Sequence, residues 1–486
     1  MSSAADLGPK IHRVFHPRSL AMIGATRSVT KWGFIVLARL VNQGFPGKVY
    51  PVNPKEKTIL GLPAYPSILD VPEVVDLAVI TTPAAAVPEV MDQCGKKGVP
   101  AALVITSNFS ETGPEGAALE KKVADIARGH GMVMVGPNSM GIFSASAKLT
   151  CLMAPVLPRP GKVACIAQSG NVGTHFLFRG YLRGVGFNKF VSSGNEADLK
   201  FDDYLDYFGH DPETSVIVAY LEGLDPGNRF VEVAKEVTRT KPIIILKGGR
   251  TEAGGRAAAS HTGALAGSGG IYTGLFRQTG VIQAETNKEV VELARALESQ
   301  PLPKGKRVGI LTRGGGWGVI TADACAEAGL TLAELSAETL AALDQHLPPY
   351  WSRGNPVDLV AVLSSQVYLE CLRILIADPG VDAVLALGAN VEAQADNVLQ
   401  AMEKIQKVPS EEVERIKQRS LEEGRAFVQG ILDLVSHRGK PALMVGRWTA
   451  SRDWDTRLQM LAEPEEAARL LAKMVGYAEY LRGSGV

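Results

Sequence analysis

Short runs of valine, isoleucine, leucine and alanine alternate with longer amphipathic segments along most of the 486-residue chain. Runs of this kind, bounded by glycine, proline and asparagine, predict β-strands, and the segments between them have the length of helices. Strands that alternate with helices are typical of parallel sheets covered by helices on both faces. We therefore predict an α/β protein with three consecutive doubly wound units.

The predicted strands fall into three groups, and each group defines a domain. The first group ends near residue 145 and contains "LAMIGA", "GKVYPVN", "DLAVITTP", "AALVITS" and "MVMVGPN". The second contains "KVACIAQSG", "KFVSSGNEADL", "SVIVAYLEG" and "PIIILKGGR", and closes with a helix around residues 286–299. The third contains "RVGILTRGGGWGV", "VDAVLALGAN" and "KPALMVG". The predicted domains are residues 1–145, 160–300 and 305–486.

Two segments between these groups predict linkers because they contain several turn-forming prolines and glycines. They are "SAKLTCLMAPVLPRPGK", which begins at Ser146, and "SQPLPKGK", which begins at Ser299. Within the third unit, residues 395–436 are charged and weakly periodic. That stretch predicts a long helix or a helical hairpin on the surface.

The charge and the termini exclude several classes of partner. Lysine plus arginine and aspartate plus glutamate number 51 each, so no net field attracts nucleic acid or an anionic membrane. No apolar run approaches the roughly 18 residues of a membrane span, and "MSSAADLGPKIHRVFHP" lacks the pattern of a signal peptide. We expect a soluble, cytoplasmic protein whose partners are small ligands or proteins.

Five scattered cysteines without a CxxC pair predict buried free thiols and no metal site.

Ligands of open parallel sheets bind beyond the carboxyl ends of the strands. In the first unit Gly24 would let a phosphate approach the backbone, and the helix that follows would direct free N–H groups at it. The loop is not GxGxxG, and Asn53 with Lys55 nearby stands where a dinucleotide ribose needs an acidic residue. This favours a nucleotide with extra phosphate, such as coenzyme A, over NAD. A structural Rossmann unit without ligand and an NAD-dependent oxidoreductase remain open.

The second unit carries a second predicted anion site and a candidate nucleophile. Ser169, Gly170 and Asn171 precede a helix and form a phosphate cradle. His261 lies in "AAASHTGALAGS", and Glu222 ends a strand of the same unit. A carboxylate on one imidazole nitrogen raises the basicity of the other. A lone histidine is more often a packed or solvated side chain, but the two cradles and the small residues around it favour a working group.

In order along residues 12–360, ten stretches resemble the nucleoside-diphosphate-forming acyl-CoA synthetases, relatives of succinyl-CoA synthetase. They are "HPRSLAMIGAT", "VYPVNPK", "DLAVITTPAAAVPEVMDQCGKKGV", "FSETG", "GPNSMGI", "QSGNVG", "SSGNEADL", "YLEG", "KGGRTEAGGRAAASHTGALAGS" and "GNPVDL". The resemblance, in particular to the α subunit of the ADP-forming acetyl-CoA synthetase, implies a Rossmann-like CoA-binding domain followed by two flavodoxin-like, succinyl-CoA synthetase-like domains.

The same resemblance implies an acid–thiol ligase, which reversibly converts acyl-CoA, ADP and phosphate to carboxylate, CoA and ATP. His261 matches the phosphoryl-carrying histidine on a mobile loop, and Glu222 matches the glutamate that steadies it. Phosphate contacts are implied for Ser169, Gly170, Asn171 and Gly263. The residues that look like the family's CoA site are Gly24, Thr26, Asn53, Lys55, Thr82, Pro83, Ser107 and Asn138.

The family's nucleotide site is an ATP-grasp domain of about two hundred residues, and the three predicted units leave no room for one. The resemblance therefore implies a separate ATP-grasp β subunit that holds ATP or ADP with Mg²⁺, in an α2β2 heterotetramer. The small carboxylic acid or acyl-CoA substrate stays open. A non-catalytic, CoA-binding regulatory homologue of the same fold is the alternative.

Two positions depart from the family. Ser139 stands where relatives often have cysteine, and we expect little effect. Arg313 and Trp317 stand in a glycine-rich turn where relatives have smaller neutral residues. That turn either stabilises the phosphohistidine through its helix N-terminus or is reshaped for a different partner.

Overall fold

The computed structural model describes residues 4–154, 156–224, 229–256, 269–360, 362, 364–388, 401, 404–405, 409–446 and 458–485. The chain divides into two compact units, Met1–Ala294 and Arg295–Val486. All five cysteines are free and buried, which confirms the prediction of buried free thiols. Among the helices described, none combines the length and the apolar character that crossing a bilayer needs.

The first sheet of the first unit is parallel and has five strands in the order β2-β1-β5-β6-β7. Its strands are β1 (Ser19–Ile23), β2 (Lys48–Val52), β5 (Leu77–Ile80), β6 (Ala101–Val104) and β7 (Val133–Val135). The helices beside it are α1 (Ala4–Phe15), α2 (Trp32–Asn42), α3 (Val87–Lys97) and α4 (Pro114–Gly129), and β3 (Thr58–Ile59) pairs with β4 (Leu62–Pro63) in a small hairpin. Strands β1, β5, β6 and β7 are buried along their whole length, which explains their continuous apolar runs.

The second sheet of this unit has seven strands in the order β14-β13-β12-β10-β11-β8-β9. They are β8 (Gly141–Ser144), β9 (Leu149–Leu152), β10 (Pro160–Ala167), β11 (Phe187–Ser192), β12 (Val216–Leu221), β13 (Ile243–Lys247) and β14 (Ile282–Ala284). Its helices are α5 (Gly170–Arg183), α6 (Phe201–His210), α7 (Arg229–Thr238), α8 (Gly269–Thr279) and α9 (Asn287–Ser299).

The prediction of a linker after residue 145 is wrong for residues 149–152. These residues form β9, which pairs antiparallel with β8, and β8 pairs antiparallel with β11. The hairpin extends an otherwise parallel sheet and buries all four residues of β9. Prolines confined to residues 155–160 made the whole segment look like a linker.

The second unit contains a six-stranded sheet, with the order β16-β15-β18-β19-β20 and with β17 paired to β15. The strands are β15 (Arg307–Thr312), β16 (Thr331–Leu332), β17 (Val357–Asp358), β18 (Ala383–Leu387), β19 (Ala442–Val445) and β20 (Met460–Leu461). The helices are α10 (Gly315–Glu327), α11 (Ala337–Asp344), α12 (Ser365–Ala377), α13 (Ser410–Arg438) and α14 (Pro464–Gly483).

Helix α13 covers most of the segment in which we predicted a long helix or a hairpin, while residues 395–400 lie outside the described residues. It is one continuous helix over its 29 residues. Phe427, Ile431 and Val435 on one side of it are buried in the core of the second unit. The helix is therefore amphipathic and packs inward along part of its length.

The predicted fold class is confirmed by these sheets and by the relatives described below. In each of the three large sheets, five parallel strands run in the spatial order 2-1-3-4-5, counted along the chain with the short β17 left out. Such an order has one point where the connections turn in opposite directions, and a crevice opens there at the carboxyl ends. The crevices lie between β1 and β5, between β10 and β12, and between β15 and β18.

Candidate active site

The crevice of the first sheet is lined by backbone because Gly24 has no side chain. Gly24 follows β1 with a φ of +89°, and a Cβ there would lie 2.7 Å from Thr81 Oγ1 and 3.0 Å from the Thr82 nitrogen. A Cβ on Gly33, in the first turn of α2, would lie 2.2 Å from the Gly24 oxygen. The start of α2 therefore packs directly on this turn, and a ligand can approach its backbone closely.

Asn53 fixes the loop after β2 to the loop after β1. Its Nδ2 donates a hydrogen bond to the Ala25 oxygen at 2.6 Å, and its Oδ1 accepts one from the Lys55 N–H at 2.8 Å. Lys55 itself is exposed, and the Thr26 hydroxyl accepts a bond from the Ser28 N–H at 3.2 Å. The arrangement presents a cation at the rim of the crevice that contains Gly24.

Thr82 lies on the opposite side of the same crevice, between β5 and Pro83. Its Oγ1 is buried and has no hydrogen-bond partner within the described part of the chain. The Thr82 oxygen accepts a hydrogen bond from Thr106 Oγ1 at 2.7 Å. The next residue, Ser107, is exposed in the loop after β6. A buried hydroxyl of this kind is usually satisfied by a partner. The glycine turn and this hydroxyl together fit a phosphate-bearing ligand.

The loop that contains Asn138 brings the first and second sheets together. Asn138 Nδ2 donates to Asn195 Oδ1 at 3.2 Å, and the Asn195 N–H donates to the Pro137 oxygen at 2.9 Å. Ser139 is buried and its Oγ donates to the Ser192 oxygen at 2.5 Å. Ser139 therefore joins two loops of the site, although we expected little from this position.

The predicted phosphate cradle lies next to that junction. Helix α5 begins at Gly170, and its N-cap residue Ser169 makes no side-chain capping bond. The N–H groups of the first turn, including that of Asn171, therefore remain for an anion. A Cβ on Gly170 would lie 1.9 Å from Met140 Cγ, so the cradle and the Asn138 loop are in contact.

Glu222 follows β12 directly, across the crevice from Ser169. Its peptide is held at both ends: the N–H donates to Gln168 Oε1 at 2.6 Å, and the oxygen accepts from Lys247 Nζ at 2.7 Å. The Tyr220 hydroxyl bonds to the Glu222 side chain. Burial, together with the charge and the bond of Glu222, raises the pKa of Tyr220 to about 12.

Lys247 is a buried cation that the sequence prediction missed. It ends β13, its exposed fraction is 2%, and its Nζ also bonds the Gly248 oxygen and lies 4.5 Å from the centre of the Tyr272 ring. Burial lowers the pKa of Lys247, and the charge of Glu222 opposes that shift. The available signal was a lysine at the carboxyl end of an apolar strand.

Gln168, the other missed residue, immediately precedes the cradle. Its amide bonds the backbone of residues 222 and 223, which are remote in sequence. The geometry thus brings together Glu222, Ser169, Gly170 and Asn171 around one crevice. A carboxylate and an anion cradle placed side by side can steady a base or nucleophile beside a phosphoryl group.

His261 and Gly263 lie outside the described residues. Among the described residues, Gly269 lies against Arg250, because a Cβ on Gly269 would lie 2.3 Å from the Arg250 oxygen. Arg250 follows β13, whose last residue is Lys247. Gly269, the first residue of α8, therefore packs against the turn that follows the strand whose Lys247 bonds the Glu222 oxygen.

The third crevice has a different composition. Arg313 follows β15, and its guanidinium lies 5.0 Å from the centre of the Tyr368 ring. Burial lowers the pKa of Arg313, an effect that Tyr368 opposes. Helix α10 begins two residues later, at Gly315, and Trp317 in its first turn is 52% exposed. Arg313 packs into the unit, whereas Trp317 faces solvent.

Comparison with known families gives three matches in order along the chain. Residues 18–145 match a CoA binding domain, residues 160–297 a succinyl-CoA ligase like flavodoxin domain, and residues 308–415 a ligase-CoA domain.

Two characterised relatives cover most of the chain. Acetate–CoA ligase (ADP-forming) II subunit alpha of Pyrococcus furiosus is 42% identical over 399 residues, which are 80% of this chain and 86% of that protein. The 4-hydroxybutyrate–CoA ligase (ADP-forming) of Nitrosopumilus maritimus is 36% identical over 378 residues, which are 77% of this chain and 54% of that protein.

Among solved structures, the dinucleotide forming acetyl-coenzyme A synthetase 1 of Ca. Korarchaeum cryptofilum, in complex with phosphate and ADP, matches with a TM-score of 0.84. It is 34% identical, and the match covers 98% of this chain and 99% of that one. The protein PH0766 of Pyrococcus horikoshii matches with a TM-score of 0.78 at 33% identity, over 97% of this chain and 99% of that one.

Proposed function

The chain belongs to the family of ADP-forming acyl-CoA synthetases, as a catalytic CoA-binding subunit, and we propose that it carries a phosphoryl group on His261 between an acyl phosphate and a nucleotide. The observation that carries this proposal is that Glu222 and the Ser169–Gly170 cradle follow the neighbouring strands β12 and β10, beside the Asn138 loop. The reaction class is reversible acid–thiol ligation.

We propose that CoA occupies the crevice of the first sheet. The Gly24 turn, Thr26 and the Thr82 hydroxyl lie within it, Pro83 follows Thr82 after β5, and Ser107 follows the next strand, β6. Asn53 holds Lys55 where a phosphate of CoA would meet it. The Asn138 loop lies between this crevice and the phosphate cradle. The thioester end of acyl-CoA would therefore reach the phosphate bound at Ser169, Gly170 and Asn171.

The proposed reaction balances in two steps on this chain. An oxygen of inorganic phosphate attacks the thioester carbonyl, which forms an acyl phosphate and releases CoA as its thiol. A nitrogen of His261 then attacks the phosphorus and releases the carboxylate. Glu222, held at its N–H and its oxygen, would accept the hydrogen bond of the other imidazole nitrogen and stabilise the developing positive charge. Gly263 would leave space for the phosphoryl group beside His261.

We propose that the third step, transfer from phosphohistidine to ADP, needs a second subunit with an ATP-grasp fold that holds Mg²⁺ and the nucleotide. One relative is named subunit alpha of an ADP-forming ligase, which supports a partner for this chain. An α2β2 assembly follows if each chain pairs with one partner and the pair dimerises. We also propose that the family matches delimit three working domains, for CoA, for phosphate and for the ligase step.

The test uses the full chain, acetyl-CoA and radiolabelled inorganic phosphate. We expect a chain-bound label that is stable in base and lost in acid. His261→Asn should take up no label, and Glu222→Gln should take it up at least about tenfold more slowly than the wild type. His437→Asn is the matched control, because His437 is exposed on α13. Label retained by His261→Asn would overturn the assignment, and release of the label as ATP should require the added partner subunit.

A further inference from the structure

The amide of Gln168 connects three loops at the carboxyl edge of the second sheet. Its Oε1 accepts the N–H groups of Glu222 at 2.6 Å and Gly223 at 3.1 Å, and its Nε2 donates to the Gly223 oxygen at 2.8 Å. The same side chain bonds the carboxylate of Glu196, in the loop after β11. An amide has two N–H donors and an oxygen with two lone pairs, so these bonds use its full capacity.

Glu196 is buried in the loop after β11. Its carboxylate accepts Ser193 Oγ at 2.6 Å and the Phe201 N–H at 3.3 Å. The titratable residues around Glu196 lie on its own loop and on α6, and their charged partners lie on α4 and α7. They are Lys200, Asp198, Asp203 and Tyr204, with Arg128 bonded to Asp198 and Arg229 bonded to Asp203.

The partners of Gln168 decide which way its amide faces, because its two ends have nearly the same shape. Two backbone N–H groups need its oxygen, and the Gly223 oxygen needs its nitrogen. A carboxylate cannot donate, so a charged Glu196 permits only the observed orientation. A protonated carboxyl also carries an O–H that can donate to the amide oxygen, so it no longer opposes a flip, and a flip withdraws that oxygen from the Glu222 N–H.

We propose that Gln168 is a positioning residue for Glu222, and that the Glu196 carboxylate acts through Gln168 by fixing the orientation of its amide. The inference rests on the proposed function, in which Glu222 orients His261. Burial raises the pKa of Glu196 to about 7, while the bonds from Ser193 and Gln168 and the charge of Lys200 oppose the shift. The hydrogen bond between Gln168 and the Glu222 N–H is therefore most stable above neutral pH, and it weakens as Glu196 takes up a proton.

The first arm of the test measures hydrogen exchange at the Glu222 and Gly223 amides of the full chain, corrected for the intrinsic pH dependence of exchange. In the wild type we expect protection to rise about tenfold between about pH 6 and about pH 8. Glu196→Gln should remove that rise, and Gln168→Met should lower protection at both pH values. Glu414→Gln is the control, because Glu414 is exposed on α13. Protection that is the same in wild type and Glu196→Gln at every pH overturns the proposal.

The second arm measures the rate of chain labelling from acetyl-CoA and radiolabelled phosphate. We expect Gln168→Met to lower the rate about tenfold with an unchanged Kd for CoA, and Glu196→Gln to lower it less. Because Glu196 acts through Gln168, the double variant should be no slower than Gln168→Met. Effects that multiply would show independent roles and overturn the proposal. A wild type that takes no label contradicts the proposed function, while the exchange arm still decides the role of Gln168.

A milder variant tests the same link if Glu196→Gln does not fold. Ser193→Ala removes one of the donors that hold the pKa of Glu196 down, so that pKa should rise. The pH at which protection of Glu222 is half lost should move upward with it. The pH shift is read from exchange and not from the labelling rate, because the labelling rate also depends on His261. An unmoved midpoint in Ser193→Ala overturns the role of Glu196.

Discussion

Gly24 shows how much of the CoA crevice depends on one missing side chain. Its φ of +89° lies in the left-handed region, and a Cβ would meet both Thr81 and Thr82. The positive φ and the lack of space for a Cβ each favour glycine, but only the lack of space bears on how closely a ligand can approach. The same close packing that excludes a methyl group lets the turn present its backbone to a phosphate.

We expect Gly24→Ala to weaken CoA binding about tenfold or more and to lower the free energy of unfolding by about 1–3 kcal/mol, because of the backbone strain and the contact with Thr81. Titration calorimetry and urea unfolding measure the two effects. Gly61→Ala is the matched control: Gly61 has a φ of +78°, but nothing lies within 4 Å of its would-be Cβ. The control should lose stability from strain and keep its Kd for CoA. An unchanged Kd in Gly24→Ala would place CoA elsewhere.

The sequence predicted residues of the site where position along a strand was enough to place them. Glu222 follows directly after β12 and Ser169 comes two residues after the end of β10, as their apolar runs indicated. Gln168 and Lys247 could not be assigned, because their partners are backbone groups 54 and 25 positions away, and such pairings depend on strand order. The roles assigned to His261 and Gly263 stay predictions.

Helix α1 shows how one element can make stability depend on pH. His12 Nδ1 lies 3.0 Å from the Tyr207 hydroxyl, and the rings of His12 and His16 stack at 4.5 Å. Lys189 is fully buried nearby, bonded to Asp211 at 2.7 Å and to Glu213 at 2.8 Å. Burial first, and then the positive charges of Lys189 and His12, lower the pKa of His16 to about 4, although Glu213 and Asp211 oppose the shift.

A histidine with a lowered pKa destabilises the fold in acid, because the unfolded chain binds its proton near pH 6.5 while the folded chain does not. The contribution of His16 is therefore intact above about pH 6.5 and is lost as the pH falls towards about 4. We expect His16→Gln to lose less stability than the wild type between about pH 7 and about pH 5, measured by urea unfolding. His437→Gln should follow the wild type. If His16→Gln follows the wild type as well, the folded and unfolded chains take up the His16 proton at the same pH, which contradicts the lowered pKa.

The strands and helices of the parallel sheets were predictable, because buried parallel strands give continuous apolar runs and their crossovers need helices. The antiparallel hairpin of β8 and β9 was not. Its four-residue strands are separated by the turn Ala145–Lys148, and prolines follow closely. Only pairing with β11 shows that these residues belong to the second sheet.

For the whole molecule, the proposed CoA and phosphate residues that the structure describes all lie in the first compact unit. The boundary at Ala294 and Arg295 falls inside α9, which continues to Ser299. Arg183 and Glu292 form an ion pair within that unit, with 2.7 Å between Nε and Oε1, so the first part of α9 is needed there. A division of the chain has to leave α9 whole, and the proline-bearing loop after it, Gln300–Lys306, allows this.

We expect a fragment of residues 1–303 to unfold cooperatively and to bind CoA with a Kd within about twofold of the full chain, because a compact unit with its own core keeps its structure. Circular dichroism during urea unfolding and calorimetry with CoA measure these properties. A fragment of residues 1–286, which lacks α9 and therefore the partner of Arg183, is the comparison and should be less stable. Gly24→Ala in the longer fragment should weaken CoA binding as it does in the full chain. A longer fragment that folds but binds CoA more than about tenfold less tightly would mean that residues beyond 303 contribute to the CoA site.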